Sequence, residues 1–189
     1  MSDEIAVPAA ALLVRDFVNT YEPQIDEESL TSANSLAHWF AERGLLRAGA
    51  RLKAADLAVA IAFREGLRAV LLGHASHPTD PEPLQRLEEV LAVVPVRLSF
   101  AAGRPQLVPA GDQPLDRALA GLIEAIRQCT EDGIWGRLKA CDRDTCRWAY
   151  YDASRNQARR WCTMATCGSV IKTRRARRKA AVAPVGDQP

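Results

Sequence analysis

Cys141-Asp-Arg-Asp-Thr-Cys146 and Cys162-Thr-Met-Ala-Thr-Cys167 are two C-x4-C pairs separated by fifteen residues. Two close pairs at this separation are how a chain builds a tetrahedral four-sulfur site. Each pair forms one turn that presents two thiolates, and the stretch between is long enough to bring the chain back to the same point. Zinc is the expected ion, because it favours thiolate tetrahedra and does no redox chemistry. Four protein donors leave no position open, so one structural, non-catalytic ion per chain is expected. Four thiolates around a divalent cation carry a net charge of about −2. Arg143, Arg147, Arg159 and Arg160 lie close in sequence and can offset that charge. An iron–sulfur cluster would take the same donors, but the dense arginines suit a nucleic-acid module better. Four unrelated cysteines are the bland reading, and paired spacing is uncommon by accident. Cys129 has no near partner and lies on an apolar helical face, so it reads as a core cysteine.

C-terminal to the second pair, charge dominates. Lys172, Arg174, Arg175, Arg177, Arg178 and Lys179 fall within eight residues, and Arg155, Arg159 and Arg160 precede them. From Arg137 to Ala180 there are 13 Lys/Arg against three acids, Asp142, Asp144 and Asp152, a net charge of +10. The other 12 basic and 20 acidic residues give −8, which returns the chain's +2. Such a split predicts two modules with different partners. Phosphates attract a dense positive segment whatever the base sequence, so these nine residues are the expected nucleic-acid contacts. The pattern from Ala165 to Lys179 predicts a helix starting at the second cysteine pair. A helix would spread Arg174, Arg175, Arg177 and Arg178 over more than half its circumference, so they cannot all face one groove. A solvated tail is the bland alternative. Trp148, Tyr150, Tyr151 and Trp161 interleave with the charge. A small zinc module ordinarily uses such aromatics as its scant core; base stacking is the sharper reading.

N-terminal to the cysteines the pattern is helical. Val14, Phe17, Val18 and Tyr21 share one helical face, as do Leu36, Trp39 and Phe40, with Gly44 as terminator. A third helix is predicted from about Lys53 to Leu72. A polar break follows from His74 to Pro83, then a fourth helix through Leu84, Leu87, Leu91 and Val94 that stops at Pro95. Val96 to Phe100 and Pro105 to Val108 predict a short β-hairpin, and Leu115 to Ile126 a fifth helix. Leu138 to Cys141 and Arg147 to Tyr151 predict short strands around the first cysteine turn. The expected fold is therefore mainly α. A helical domain with a short hairpin spans 1–131, a four-cysteine α+β zinc module spans 132–180, and residues 181–189 form a disordered tail. Phe17, Trp39, Phe63, Leu67 and Leu119 are the expected core.

Length and composition bound the rest. The chain has 189 residues, 48% of them hydrophobic, enough for a buried core. No apolar run reaches the ~18 residues of a membrane span, so no membrane partner is expected. The opening Met-Ser-Asp-Glu lacks a basic region before an apolar stretch, which argues against a secretory signal; a cytoplasmic location with reduced thiols is expected. There is no glycine-rich phosphate loop, no G-x-S-x-G and no H-E-x-x-H, so no enzyme is expected. His38, His74 and His77 approach no cysteine in sequence, and the His74/His77 pair reads as solvent-facing.

Several stretches resemble a known family. Trp135-Gly-Arg-Leu-Lys-Ala-Cys141, Cys146-Arg-Trp148 through Asp152-Ala-Ser154-Arg155-Asn156, and Arg159-Arg160-Trp161-Cys162 through Cys167-Gly168 resemble the CGNR zinc finger. Upstream, Asp16-Phe17-Val18-Asn19-Thr20, Leu36, Trp39 and Gly44-Leu45-Leu46 resemble the helical ABATE-type domain of stress-induced transcription regulators that usually precedes it. The resemblance implies a bacterial DNA-binding transcriptional regulator holding zinc through Cys141, Cys146, Cys162 and Cys167. Because it is attached to a nucleic-acid module, the N-terminal domain is expected to sense a small-molecule effector or to set the oligomeric state, as in a homodimer. At the naming motif, Ser169 and Val170 replace the family's Asn and Arg; both cysteines of that pair are retained, and no base-reading role is carried over to these two positions. An RNA-binding or protein-interaction module with the same zinc site is the alternative.

Overall fold

The computed structural model describes residues 6–170 and Thr173. Five α-helices carry the fold: α1 (Ala9–Val18), α2 (Ala33–Glu42), α3 (Ala54–His74), α4 (Pro81–Val93) and α5 (Pro114–Glu131). Three two-stranded antiparallel hairpins complete it: β1 (Tyr21–Glu22) with β2 (Glu27–Glu28), β3 (Val96–Ser99) with β4 (Gln106–Pro109), and β5 (Leu138–Ala140) with β6 (Ala149–Tyr151). The mainly α architecture, the β3–β4 hairpin and the small cysteine-bearing α+β region all match the reading of the sequence. No described helix is long and apolar enough to cross a membrane.

The helical spacing of apolar residues puts one face of each helix into a common core. Phe17, Phe40 and Phe63 are fully buried, and Trp39, Leu67 and Leu119 join them. Phe17 sits at the centre, with ring centroids 5.3 Å from Trp39, 6.0 Å from Phe40 and 6.1 Å from Phe63. Gly44 ends α2 as expected. Its φ of +69° is a conformation few other residues adopt without strain, and it lets the Leu45 N–H return to the Phe40 carbonyl. Gly66 lets α3 and α4 pack closely, since a Cβ there would lie 2.4 Å from the Leu87 Cβ.

Two boundaries differ from the sequence reading. α1 ends at Val18, and Tyr21 lies in β1. The Thr20 hydroxyl donates to the Phe17 carbonyl, closing the helix before the apolar repeat is complete. α4 begins at Pro81, with the Asp80 carboxylate accepting from the Glu82 N–H. Proline suits the first helical position, where its missing N–H costs nothing, so the proline-bearing break is shorter than expected.

The β5–β6 hairpin lies against α3. Leu138, Ala140 and Ala149 are fully buried and belong to the same apolar cluster as the helices. The cysteine region therefore grows out of the helical core through shared apolar surface.

Candidate metal centre

The β5–β6 hairpin sets the first cysteine pair at its open end. The Cys141 N–H donates to the Trp148 carbonyl, and the Cys146 and Arg147 N–H groups both reach the Arg143 carbonyl, so the chain folds back tightly between the two cysteines. In the second pair Cys162 precedes, and Cys167 lies within, a π-helical turn, Met164–Gly168, capped by the Thr163 side chain. The Asp142 N–H donates to the Arg160 carbonyl and joins the two turns. Ser169, Val170 and Thr173 are helical. The rest of the helix expected up to Lys179 lies outside the described residues.

These turns bring the four sulfurs of Cys141, Cys146, Cys162 and Cys167 within 4.8 Å of one another. The Cys162 Sγ is 3.7 Å from both the Cys146 Sγ and the Cys167 Sγ. A tetrahedron with metal–sulfur bonds of ~2.3 Å has edges of roughly 3.8 Å, so this spacing fits one zinc ion held by four thiolates. The electrostatics agree. Hydrogen bonds from Cys146 and Cys162 push the Cys141 thiol far down, while bonding to Cys141 pushes Cys146 and Cys162 up. Four sulfurs this close cannot all ionise without a cation among them, and a divalent ion removes the conflict. Arg143 brings positive charge to the site, with its Nη1 3.9 Å from the Cys167 Sγ. Cys129 is fully buried on α5, away from this cluster, and burial raises its thiol to about 11.

A second set of residues, which sequence reasoning missed, pins the loop between β6 and the second pair. Lys139 and Asp152, both buried, pair at 2.9 Å. Asp152 also accepts from the Ser154 hydroxyl, the Ser154 N–H and the Arg159 N–H. Burial alone would raise the Asp152 carboxyl, but the bonds from Ser154, Lys139 and Arg159 hold it below its ordinary value. The available signal was a lysine at the centre of an otherwise apolar strand, which requires a buried partner.

Three polar ties fasten the cysteine region to the helices. The Asn19 side-chain amide donates to the Ala149 carbonyl at 2.9 Å and accepts from the Ala149 N–H at 2.8 Å, mimicking a strand partner for β6. The buried Arg68 guanidinium donates to the carbonyls of Val18, Tyr21 and Arg147 and pairs with Glu65. His77 lies 2.7 Å from the Asp142 carboxylate, which also pairs with Arg160 at 2.9 Å. The solvent-facing reading of the histidines is thus corrected for two of them. His77 is nearly buried beside the first cysteine turn, and the half-buried His74 bonds the Leu138 carbonyl through Nδ1. Neither was legible, because both meet partners more than sixty residues away. Replacing Arg68 by methionine should cost about 3–5 kcal/mol in denaturant unfolding, since it leaves the Val18, Tyr21 and Arg147 carbonyls without this donor and Glu65 with Arg64 alone. A loss below about 1 kcal/mol would mean that this tie contributes no more than a surface pair.

The expected nucleic-acid contacts divide. Arg155 and Arg160 are exposed. Arg159 stacks on Tyr150 at 5.0 Å, and its guanidinium donates to the Trp161 and Cys162 carbonyls, so it is occupied in holding the second turn. Tyr150 is buried, with its hydroxyl on the Arg159 carbonyl, while Trp148 and Trp161 pack against the sulfurs. The two tryptophans and the sulfurs form the small core of the region. Lys172, Arg174, Arg175, Arg177, Arg178 and Lys179, and the tail 181–189, lie outside the described residues.

Beside the centre runs an open cleft of about 890 Å³ between α1, α2 and the cysteine turns. Trp39 with Arg43 stacked on it, Trp148, Cys146, Cys162 and Cys167 are among its lining residues. Comparison with known proteins found two matches. The family model for the CGNR zinc finger matches residues 137–180. The ABATE model, described as "Putative stress-induced transcription regulator", matches residues 12–145. No curated protein matches the chain.

Proposed function

The chain belongs to the ABATE family and carries a CGNR zinc finger, and on that footing we propose that it regulates transcription by binding duplex DNA through the zinc region and the basic segment after it. One observation carries this reading. The +10 segment 137–180 coincides with the zinc-finger match, so its charge follows a rigid, metal-fixed turn. A stiff anchor lets arginines meet phosphates in a fixed register instead of as a loose tail. Arg155 and Arg160, together with Lys172, Arg174, Arg175, Arg177, Arg178 and Lys179, are the proposed contacts. Arg159 is proposed to act indirectly, by holding the turn at Cys162.

In the same proposal, residues 1–131 are the regulatory part and 132–180 the DNA-binding part. The cleft beside the zinc centre is the proposed entry for a small-molecule effector, because it touches both parts. Genome-wide mapping of DNA bound by the tagged protein tests the reading. Discrete, reproducible sites that vanish when the cysteines are replaced are expected. Recovery of single-stranded RNA with no DNA enrichment would favour an RNA-binding module instead.

A further inference from the structure

We infer that Cys162 is an oxidant-sensitive modification site: its sulfur is the first of the four to attack a hydroperoxide, and the oxidised sulfur then closes a disulfide with Cys146 or Cys167. The four sulfurs are not equivalent in access. Cys141, Cys146 and Cys167 are buried, and Cys162 alone among them is partly exposed. Cys146, Cys162 and Cys167 all line the open cleft, which is wide enough to admit a small peroxide, but of the three only Cys162 is more than a buried residue at its surface. Susceptibility to oxidation follows exposure as well as thiolate character; bound zinc would hold all four sulfurs as thiolates, so exposure is what singles out Cys162.

The geometry supplies the second step. The Cys162 Sγ has two sulfurs at 3.7 Å, so either can resolve it without rearrangement of the fold beyond its own turn. The Arg159 guanidinium, bonded to the Trp161 and Cys162 carbonyls, holds the backbone of the turn that carries this sulfur. In the first step the thiolate sulfur attacks one peroxide oxygen and the O–O bond breaks. Sulfur is oxidised to the sulfenic acid, and the peroxide leaves as hydroxide (an alkoxide, for an organic hydroperoxide). In the second step the neighbouring thiolate attacks the sulfenic sulfur, an S–S bond forms and a second hydroxide leaves. Both leaving anions are neutralised by protons from the buffered solvent. Two of the four donors are then gone, and two thiolates cannot hold the ion as four did. Cys129, buried and with its thiol raised to about 11, stays reduced and serves as an internal reference. Loss of DNA binding on oxidation would follow from the proposed function; the modification itself does not depend on that reading.

The test uses the full-length protein, with its zinc content first established by elemental analysis, titrated with hydrogen peroxide. Zinc release is followed with a chromogenic chelator, and thiol state by alkylation and mass spectrometry. Release of one zinc per chain is expected in step with a disulfide containing Cys162, with Cys162 oxidised about tenfold faster than Cys129. The Cys129→Ala variant should behave identically, and a dithiol reductant with added zinc should restore the metal-bound form. Zinc retained at excess peroxide, a first disulfide that lacks Cys162, or preferential oxidation of Cys129 would each overturn the inference. A separate DNA-binding titration distinguishes this failure from failure of the proposed function.

Discussion

Removing zinc should unfold the chain from Cys141 to Gly168 while leaving the five helices in place. Metal binding by such sites supplies on the order of 10 kcal/mol of folding free energy, comparable with the whole stability of a typical domain. Within this stretch few apolar groups can take over: the local core is the sulfurs, Trp148 and Trp161. Without the ion, the crowded thiols of Cys141, Cys146 and Cys162 also lose the charge that allows them to ionise together. The helices have their own core around Phe17, Phe40 and Phe63. Leu138, Ala140 and Ala149 belong to that same core, so β5 and β6 should keep partial protection where the turns beyond them lose it. Hydrogen exchange with and without chelator reads this directly, and elemental analysis should find one zinc per chain. Cys162→Ser should reproduce the chelated state. Unchanged protection from Cys141 to Gly168 in metal-free protein would mean that the site is not structural.

Replacing Arg174, Arg175, Arg177 and Arg178 together by alanine should weaken duplex DNA binding by at least about a hundredfold near 0.1 M salt. Each phosphate neutralised contributes roughly −0.9 to the slope of log K against log salt. Because helical spacing would send the four in different directions, two or three phosphate contacts are expected, and the slope should become shallower by about two units. Single replacements should separate two classes. A phosphate-contacting arginine should weaken all sequences alike, and a base-reading one should relax specificity at one position at a cost of about 1–3 kcal/mol. A fluorescence titration at several salt concentrations decides this. Unchanged affinity and slope in the zinc-loaded fourfold variant would remove the basic segment from the interface.

The sequence alone was enough for whatever depends on neighbours within a few residues. The i, i+3, i+4 spacing of Val14, Phe17 and Val18 or of Leu36, Trp39 and Phe40 marks helices, because each turn repeats the same face. The C-x4-C pairs mark a metal centre, because two donors on one tight turn are a local property, and the sulfurs do converge. Only the tertiary structure decided what those elements lean on. Asn19 meets Ala149 across 130 residues, Arg68 meets Arg147 across 79, and His74 meets Leu138 across 64. No periodicity encodes such pairs; they exist because burying β5 against α3 and β6 against α1 leaves backbone groups that must find partners away from water. The same burial turned Arg159 from an apparent surface charge into the clamp on Cys162. It also left Cys162 partly exposed while the other three sulfur ligands are buried, a difference in access that four chemically identical side chains cannot reveal by their spacing.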